Sequence, residues 1–312
     1  MRITHNLEQA GIDGETVLTI GAFDGLHLGH QELLKHLIRR ARETGRLSGM
    51  VTFDPPPRMV LYPASSAICL TSAEDKAEIL EEWHLDLLVI LPFTLELART
   101  PARDFVQGLG QHLHMTELWV GQDFALGHGR TGNVAALQKM GLEMGFRLHV
   151  AQPVAAGEVV ISSTEIRNLI AAGRVDKAAE MLGRYHRLKG MVRPERRIGS
   201  RLGFPTANVR LGEHCAVPAT GVYAVYATFA GQRHPAAANL GYRPTFQDEQ
   251  PATVPAQPAL EVHVLDFEGE LYGLEMAIEF VERLRDERRF ANLEALQAQI
   301  RKDIARARDI LQ

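Results

Sequence analysis

The amino-acid sequence predicts an α/β protein in two parts, a parallel sheet covered by helices on both faces and then an antiparallel β-barrel that ends in a helix. Three observations carry this. Up to about residue 150, short apolar runs rich in β-branched residues alternate with segments of helical period, the rhythm of βαβ units. Past Arg187 the texture changes to short β-rich runs divided by Gly and Pro, for which a barrel is the simplest closure. At the end of the chain, Leu293, Leu296, Ile300, Ile304 and Ile310 fall on one face of a helix over 293–311. A chain of 312 residues with 46% hydrophobic content has room for two cores. The change of texture near 183–188 divides it into domains 1–184 and 185–312.

The elements follow in order. Residues 16–20 (TVLTI) read as a buried strand, and 31–41 repeat apolar side chains at helical spacing through Leu34, Leu37, Ile38 and Ala41. Strands at 49–53, 85–91, 117–121 and 146–150 then alternate with helices at 72–83, 102–113 and 134–145. A helix beginning near Ser162 and a short one over 175–182 close the first part. In the second part, strands are expected at 221–229, 235–240, 259–265 and 275–281, with the Pro- and Ala-rich stretch 247–258 as a loop.

Residues 21–30 (GAFDGLHLGH) place His27 and His30 three apart where the first strand gives way to a helix. Free backbone N–H groups and the positive end of the helix dipole attract anions there. Gly21, Gly25 and Gly29 let the backbone approach a ligand, and imidazoles add hydrogen bonds to a phosphoryl oxygen. Taken alone, the pair fits a capped helix with two solvated histidines better than a ligand site. A zinc site is short of ligands, because His-x-x-His supplies two and Cys69 has no Cys partner nearby. Residues 161–170 (ISSTEIRNLI) start a helix with Ser162 and Glu165 in capping-box spacing and bring Ser163, Thr164 and Arg167 near its first turn. Alone, this is ordinary helix punctuation with a solvated arginine. In a parallel sheet, the loops 21–30, 53–58 and 121–132 all fall beyond the carboxyl ends of strands, where ligands bind.

In the second part, residues 202–208 (LGFPTAN) put the Thr206 hydroxyl and the Asn208 amide on one side of an extended segment, which suits a hard cation carrying phosphates; the run also fits a simple turn. Alternation along 260–265 puts Glu261, His263 and Leu265 on one face. If that face is the interior or faces a ligand, Glu261 is a buried carboxylate whose base strength is open to tuning; otherwise it is an exposed strand residue.

Composition narrows the partners. A net charge of -4 gives no general pull toward nucleic acid or anionic membrane, so a polyanionic ligand has to be held by local groups. The two cysteines, Cys69 and Cys215, lie far apart and suggest no disulfide framework, which points to the cytoplasm. The opening residues lack an apolar secretion core, and no stretch of about 18 apolar residues is present to span a bilayer.

Together, the motifs at 21–30 and 161–170 resemble the nucleotidyltransferases that attack the α-phosphate of a nucleoside triphosphate and release pyrophosphate. With the barrel runs behind them, the chain resembles the bacterial bifunctional riboflavin kinase and FAD synthetase family. The likeness extends to 52–58 (TFDPPPR), 70–76 (LTSAEDK), 120–127 (VGQDFALG), 239–246 (NLGYRPTF), 284–290 (LRDERRF) and 299–303 (QIRKD), nearly the whole chain. It implies a Rossmann-like nucleotidyltransferase domain and a riboflavin kinase barrel, with two ATP-dependent steps supported by Mg²⁺. It implies that the barrel phosphorylates riboflavin to FMN and that the first domain joins AMP to FMN, giving FAD and pyrophosphate. Residue by residue, the resemblance makes Glu261 the kinase base, assigns Mg²⁺ and ATP phosphates to Thr206 and Asn208 with Gly203 beside them, and gives flavin to Arg285, Arg288 and Phe290. In the first domain it has His27 and His30 stabilise charge on the α-phosphate. Gly21, Phe23, Asp24, Gly25 and Gly29 shape the ATP site, Ser163, Thr164 and Arg167 hold the triphosphate, and Asp123 and Phe124 lie on the FMN side. The partners are then small molecules, ATP, riboflavin and FMN, and the reading is compatible with a homo-oligomer.

Departures from the family pattern are local. Ala22 stands where the family usually has Asn, and Asp54 and Pro56 stand where it usually has Glu and His. The segment 193–201 keeps Gly199 but has Pro194 and Glu195 in what the family makes a glycine-rich loop over nucleotide phosphates, with Arg196, Arg197 and Arg201 adding charge. That departure motivates an alternative, an FAD synthetase whose barrel only binds flavin. A further one is a nucleotidyltransferase-fold protein that acts on another alcohol phosphate or serves as a non-catalytic flavin carrier.

Overall fold

Strand β2 (Thr16–Ile20) is buried along its whole length, as a strand at the middle of a parallel sheet must be. Its two threonines fit because Thr16 Oγ1 donates to the Leu113 carbonyl at 2.7 Å and Thr19 Oγ1 to the Trp119 carbonyl at 2.8 Å. Around it lie β1 (Arg2–Thr4), β3 (Leu47–Asp54), β4 (Leu87–Pro92), β5 (Met115–Gly121) and β6 (Arg147–Ala151). The order is β1-β4-β3-β2-β5-β6, parallel throughout. The three-residue edge strand β1 is too short to show a period in the sequence and was not anticipated. The computed structural model describes residues 1–62, 68–157, 159–194, 204–212, 215–242 and 258–312.

Helices cover both faces of this sheet. Alternate strand residues Val17, Met50, Leu88 and Ile90 pack against Leu34, Leu37 and Ile38 of α1 (Leu28–Glu43) and Leu80 of α2 (Ala73–Glu82). Leu18, Val51, Val89 and Leu118 pack on the other side against Phe105 and Leu109 of α3 (Ala102–Leu113) and Leu137 of α4 (Val134–Met144). The helix ends are chemically marked: Ser72 and Asn133 side chains accept from Asp75 and Ala136 amides, and Gly145 ends α4 in the left-handed region.

The second region is a closed antiparallel barrel of β7 (His186–Arg193), β8 (Ala207–Leu211), β9 (Gly221–Phe229), β10 (Gln232–Tyr242), β11 (Pro258–Val264) and β12 (Glu275–Arg285), in the order β7-β8-β11-β10-β9-β12. β9 and β10 join through Ala230 and Gly231, both at positive φ, the two-residue turn that matches strand twist. Val209, Val225, Ala238, Val262, Ile278 and Phe280 fill the interior.

The chain divides into two compact units, Met1–Ser163 and Thr164–Gln312, so the division falls earlier than the change of texture near 184. The reason lies in α6 (Val175–Leu182), which follows α5 (Ser163–Ala171): Val175 belongs to the barrel core. The C-terminal helix α7 (Leu293–Leu311) packs outside β9 and β10 through Ala307 and Leu311, against Val222, Ala224 and Ala237. Its buried stripe therefore includes Asp303, while Leu293, expected on the apolar face, is 54% exposed. Residues 195–203, with Gly203 and most of the altered loop, lie outside the described residues, as do 243–257, the larger part of the expected 247–258 loop.

Candidate functional site

In the first unit the strand order reverses between β2 and β5, the position at which open α/β sheets form a ligand crevice beyond the strand carboxyl ends. β2 ends at Ile20, and the Gly21 amide still reaches the Val51 carbonyl at 3.0 Å. The chain then turns sharply, with Phe23 (φ 46°), Gly25 (φ 84°) and Leu26 (φ 42°) in the left-handed region. For the two side-chain-bearing residues this costs of order 1–3 kcal/mol each, strain of the kind that collects at functional loops. His27 is the N-cap of α1 and makes no side-chain cap bond, and the first turn carries no acidic residue. The helix N-terminus is thus left positive toward the crevice.

His27 and His30 stack, ring centroids 3.7 Å apart and 20° from parallel, and Phe23 meets His30 edge-on at 4.9 Å. A Cβ at position 29 would come within 3.2 Å of the His27 ring, and one at position 21 within 3.2 Å of the Phe23 ring, so these glycines make room for the aromatic stack. His30 Nδ1 is enclosed without a hydrogen-bond partner among the described residues. Burial first, then the neighbouring His27 and Lys76, hold its pKa well below the usual imidazole range. His30 is accordingly neutral near pH 7.

The loop hangs on a scaffold that the sequence reading did not assign. Lys76 is 2% exposed, and its Nζ donates to the Ala22 carbonyl at 2.9 Å, which also accepts from Thr52 Oγ1 at 3.2 Å. Burial lowers the Lys76 pKa, against the pull of Asp24, Cys69 and Asp54. Asp24 spends one carboxylate oxygen on the Leu70 and Thr71 amides, at 2.8 and 3.3 Å, while Thr71 Oγ1 accepts from the Gly25 amide at 3.1 Å. Asp24 is therefore engaged as a loop anchor. Ser163 Oγ donates to the Asp24 carbonyl at 2.8 Å. One sequence signal could have found Lys76: it shares the buried face of α2 with Ile79 and Leu80, where a lysine is out of place.

Asp123 and Phe124 follow β5. They line a cleft of about 400 Å³ together with Gln122, Arg130 and Asn133, and Arg130 donates to the Asp123 carbonyl at 3.1 Å. Thr164 and Arg167 belong to the second compact unit, where Arg167 lies 3.5 Å from Thr164 Oγ1.

In the barrel, Ala207 and Val209 point inward while Asn208 is half-buried on the outer face. Glu261 likewise lies outside, between inward Leu260 and Val262, so it is a half-buried residue of the outer wall and the buried-interior alternative is corrected. The curvature of the closed sheet decides this, because alternation alone leaves the two faces equivalent. Register then assembles what the sequence separates: Asn208 is opposite Glu261, Glu261 is opposite Asn239, and Arg193 is opposite Asn208. Directly opposed residues share a face. His263, on the same face of β11, contacts the Pro205 carbonyl through Nδ1 at 2.8 Å and sets its ring edge-on to Phe204, pinning the chain just before Thr206. The third group, Arg285, Arg288 and Phe290, lies together: the guanidinium carbons sit 5.7 and 5.0 Å from the Phe290 ring centroid.

Comparison with known proteins agrees with both halves. The FAD synthetase family model matches residues 9–165 and the riboflavin kinase model residues 182–311. A bifunctional riboflavin kinase/FMN adenylyltransferase of Pseudomonas fluorescens is 41% identical over 298 residues, covering 94% of this chain and 92% of that protein. That of Escherichia coli K12 is 36% identical over 311 residues, covering 99% and 96%. Among solved structures, one titled a macrolide-efflux protein from Streptococcus pneumoniae matches with a TM-score of 0.89 and 26% identity over 98% of both chains. Among the described residues of the present chain, no helix is long and apolar enough to cross a membrane. With both family models matched in order and relatives well above 30% identity over almost their full length, this chain belongs to the bifunctional riboflavin kinase/FMN adenylyltransferases.

Proposed function

We propose that the two reactions of this family are divided between the two units, adenylylation of FMN at the His27–His30 loop and phosphorylation of riboflavin on the outer row of the barrel. The stacked histidine pair at the open N-terminus of α1 carries the first assignment. There a phosphate oxygen of FMN attacks the α-phosphorus of ATP, the bond to the bridging oxygen breaks, and pyrophosphate leaves. Negative charge grows on oxygens at the α-phosphorus. With His30 Nδ1 enclosed and the ring neutral, the donor role falls to Nε2, and the uncapped N-terminus of α1 adds its backbone amides. Gly21, Phe23, Gly25 and Gly29 shape the approach, and Asp24 fixes the loop. Ser163, Thr164 and Arg167 enter as triphosphate-holding groups through their motif alone, and Asp123 and Phe124 border the cleft proposed for FMN.

The row Asn208–Glu261–Asn239 carries the second assignment. The riboflavin 5′-oxygen attacks the γ-phosphorus of ATP, Glu261 takes the hydroxyl proton, and ADP leaves. Thr206 and Asn208 offer a hydroxyl and an amide oxygen beside that carboxylate. Such a sparse, all-oxygen set fits Mg²⁺, which binds through few protein ligands and keeps waters and phosphates, and no cluster of three or more His, Cys, Asp or Glu suited to a metal occurs among the described residues. When bound, Mg²⁺ supplies charge neutralisation on the transferred phosphoryl group. Arg285, Arg288 and Phe290 form the flavin side. Neither cysteine forms a disulfide, in keeping with a cytoplasmic location.

The test is direct: incubate the protein with riboflavin, ATP and Mg²⁺, and resolve riboflavin, FMN and FAD by chromatography. FMN followed by FAD is expected, and FMN supplied directly should give FAD. Conversion of FMN while riboflavin stays untouched would establish the flavin-binding barrel in place of the kinase.

A further inference from the structure

We infer that Asp303 of the C-terminal helix is a positioning residue for riboflavin in the kinase reaction, acting through Arg285 to set the aromatic face of Phe290. The inference rests on the assignment of the barrel row to the kinase step and deepens it. Continued around the barrel, the register runs from Glu261 to Asn239, from Asn239 to Val222, and from Val222 to Arg285. Arg285 thus stands at the level of Glu261, three strand spacings away, roughly 14 Å along the sheet.

The segment after Arg285 turns back across the same end of the barrel. A Cβ on Gly241, two residues from Asn239 on the same face of β10, would collide with the Glu287 carboxylate, so the Glu287 side chain reaches over that strand. Glu287 thus ties the segment that carries Phe290 to the strand that carries Asn239.

Arg285 itself is fully engaged. Its Nε lies 3.1 and 2.9 Å from the two Asp303 oxygens, Nη2 donates to Asp303 Oδ2 at 2.8 Å, and Nη1 donates to the Asp286 carbonyl at 2.9 Å. Asp303 is only 7% exposed and also accepts from Gln299 Nε2 at 2.7 Å, while Gln299 Oε1 accepts from Arg288. Two residues one helical turn apart on α7 thus hold both arginines that face Phe290. A buried ion pair is weak as a source of stability, since apolar residues of the same volume often serve as well. A bidentate pair is strong as a source of orientation. Arg285 is on this view a brace behind the ring, with its hydrogen bonds spent on the protein, and Phe290 presents its ring to the isoalloxazine.

Asp303→Asn in the full chain keeps the shape and removes the charge. The expected result is a KM for riboflavin raised about tenfold or more, with the KM for ATP within about twofold of wild type, and a matching loss in riboflavin fluorescence quenching. Near-UV circular dichroism establishes that the variant is folded; if it is not, Gln299→Leu, which cuts the half-buried link to Arg288, takes its place with the same expectation. An unchanged riboflavin KM in a folded variant overturns the inference. Phe290→Ala separates the two levels: if it also leaves riboflavin binding unchanged, the flavin assignment of the 285–290 segment fails and the positioning role falls with it.

Discussion

Replacing His30 with alanine isolates the adenylylation step. In the structure His30 is neutral, its Nδ1 is enclosed, and it stacks at 3.7 Å on His27 beside a helix N-terminus that stays in place after the substitution. The variant therefore loses one preorganised neutral donor and keeps the backbone amides. Removal of one such donor typically costs about 3 kcal/mol of transition-state stabilisation, roughly 10²-fold in kcat. Loss of a fixed positive charge would be larger, and the depressed pKa argues against one. With riboflavin, ATP and Mg²⁺, FMN should accumulate, and FMN supplied directly should be converted about 10²-fold more slowly than by wild type. The same residue gives a pH signature. Its imidazole is harder to protonate folded than unfolded, so the unfolded chain binds more protons as pH falls below about 6.5. Stability is whole above that value and declines, by up to about 1.4 kcal/mol per pH unit, until the folded pKa is passed. His149, also lowered chiefly by burial, acts in the same direction. The readout is therefore the difference between wild type and His30→Ala in urea melts from pH 7 to pH 5, with the variant flatter. A variant that makes FAD at the wild-type rate, or that loses both activities equally while folded, would refute the reasoning.

Glu261→Gln should leave riboflavin unconverted, lowering kinase turnover roughly 10²- to 10⁴-fold, while FAD still forms from supplied FMN; retained kinase activity would remove Glu261 as the base. Lys76→Met should slow adenylylation and spare the kinase with little change in melting temperature. The lost hydrogen bond to Ala22, worth about 1.5–3 kcal/mol for a charged donor, is offset by no longer burying an ammonium group, and unchanged FAD synthesis would count against the scaffold role. A fragment of residues 164–312 should resist urea better than one of 185–312. The shorter piece lacks Val175, fully buried in the barrel core and worth roughly 1.5–3 kcal/mol, and coincident unfolding midpoints would contradict that packing.

Much of the fold was legible because its signals are local. The βαβ rhythm, the barrel texture and the helix at 293–311 follow from periods of two and 3.6 residues, which any window of the sequence displays. The histidine pair was legible for the same reason, since a strand, a glycine-rich turn and a helix start are adjacent in the chain and put His27 at the N-cap. Tertiary structure decided what depends on partners distant in sequence. Alternation placed Glu261 and His263 on one face of β11, but only closure of the barrel made that face the outer wall and aligned Glu261 with Asn208 and Asn239. His30 is neutral because burial and the charge of Lys76, from another helix, act on it; Arg285 is a brace because Asp303 arrives from α7. Charge state and hydrogen-bond commitment are set by the sum of neighbours in space, and a linear sequence orders only neighbours along the chain.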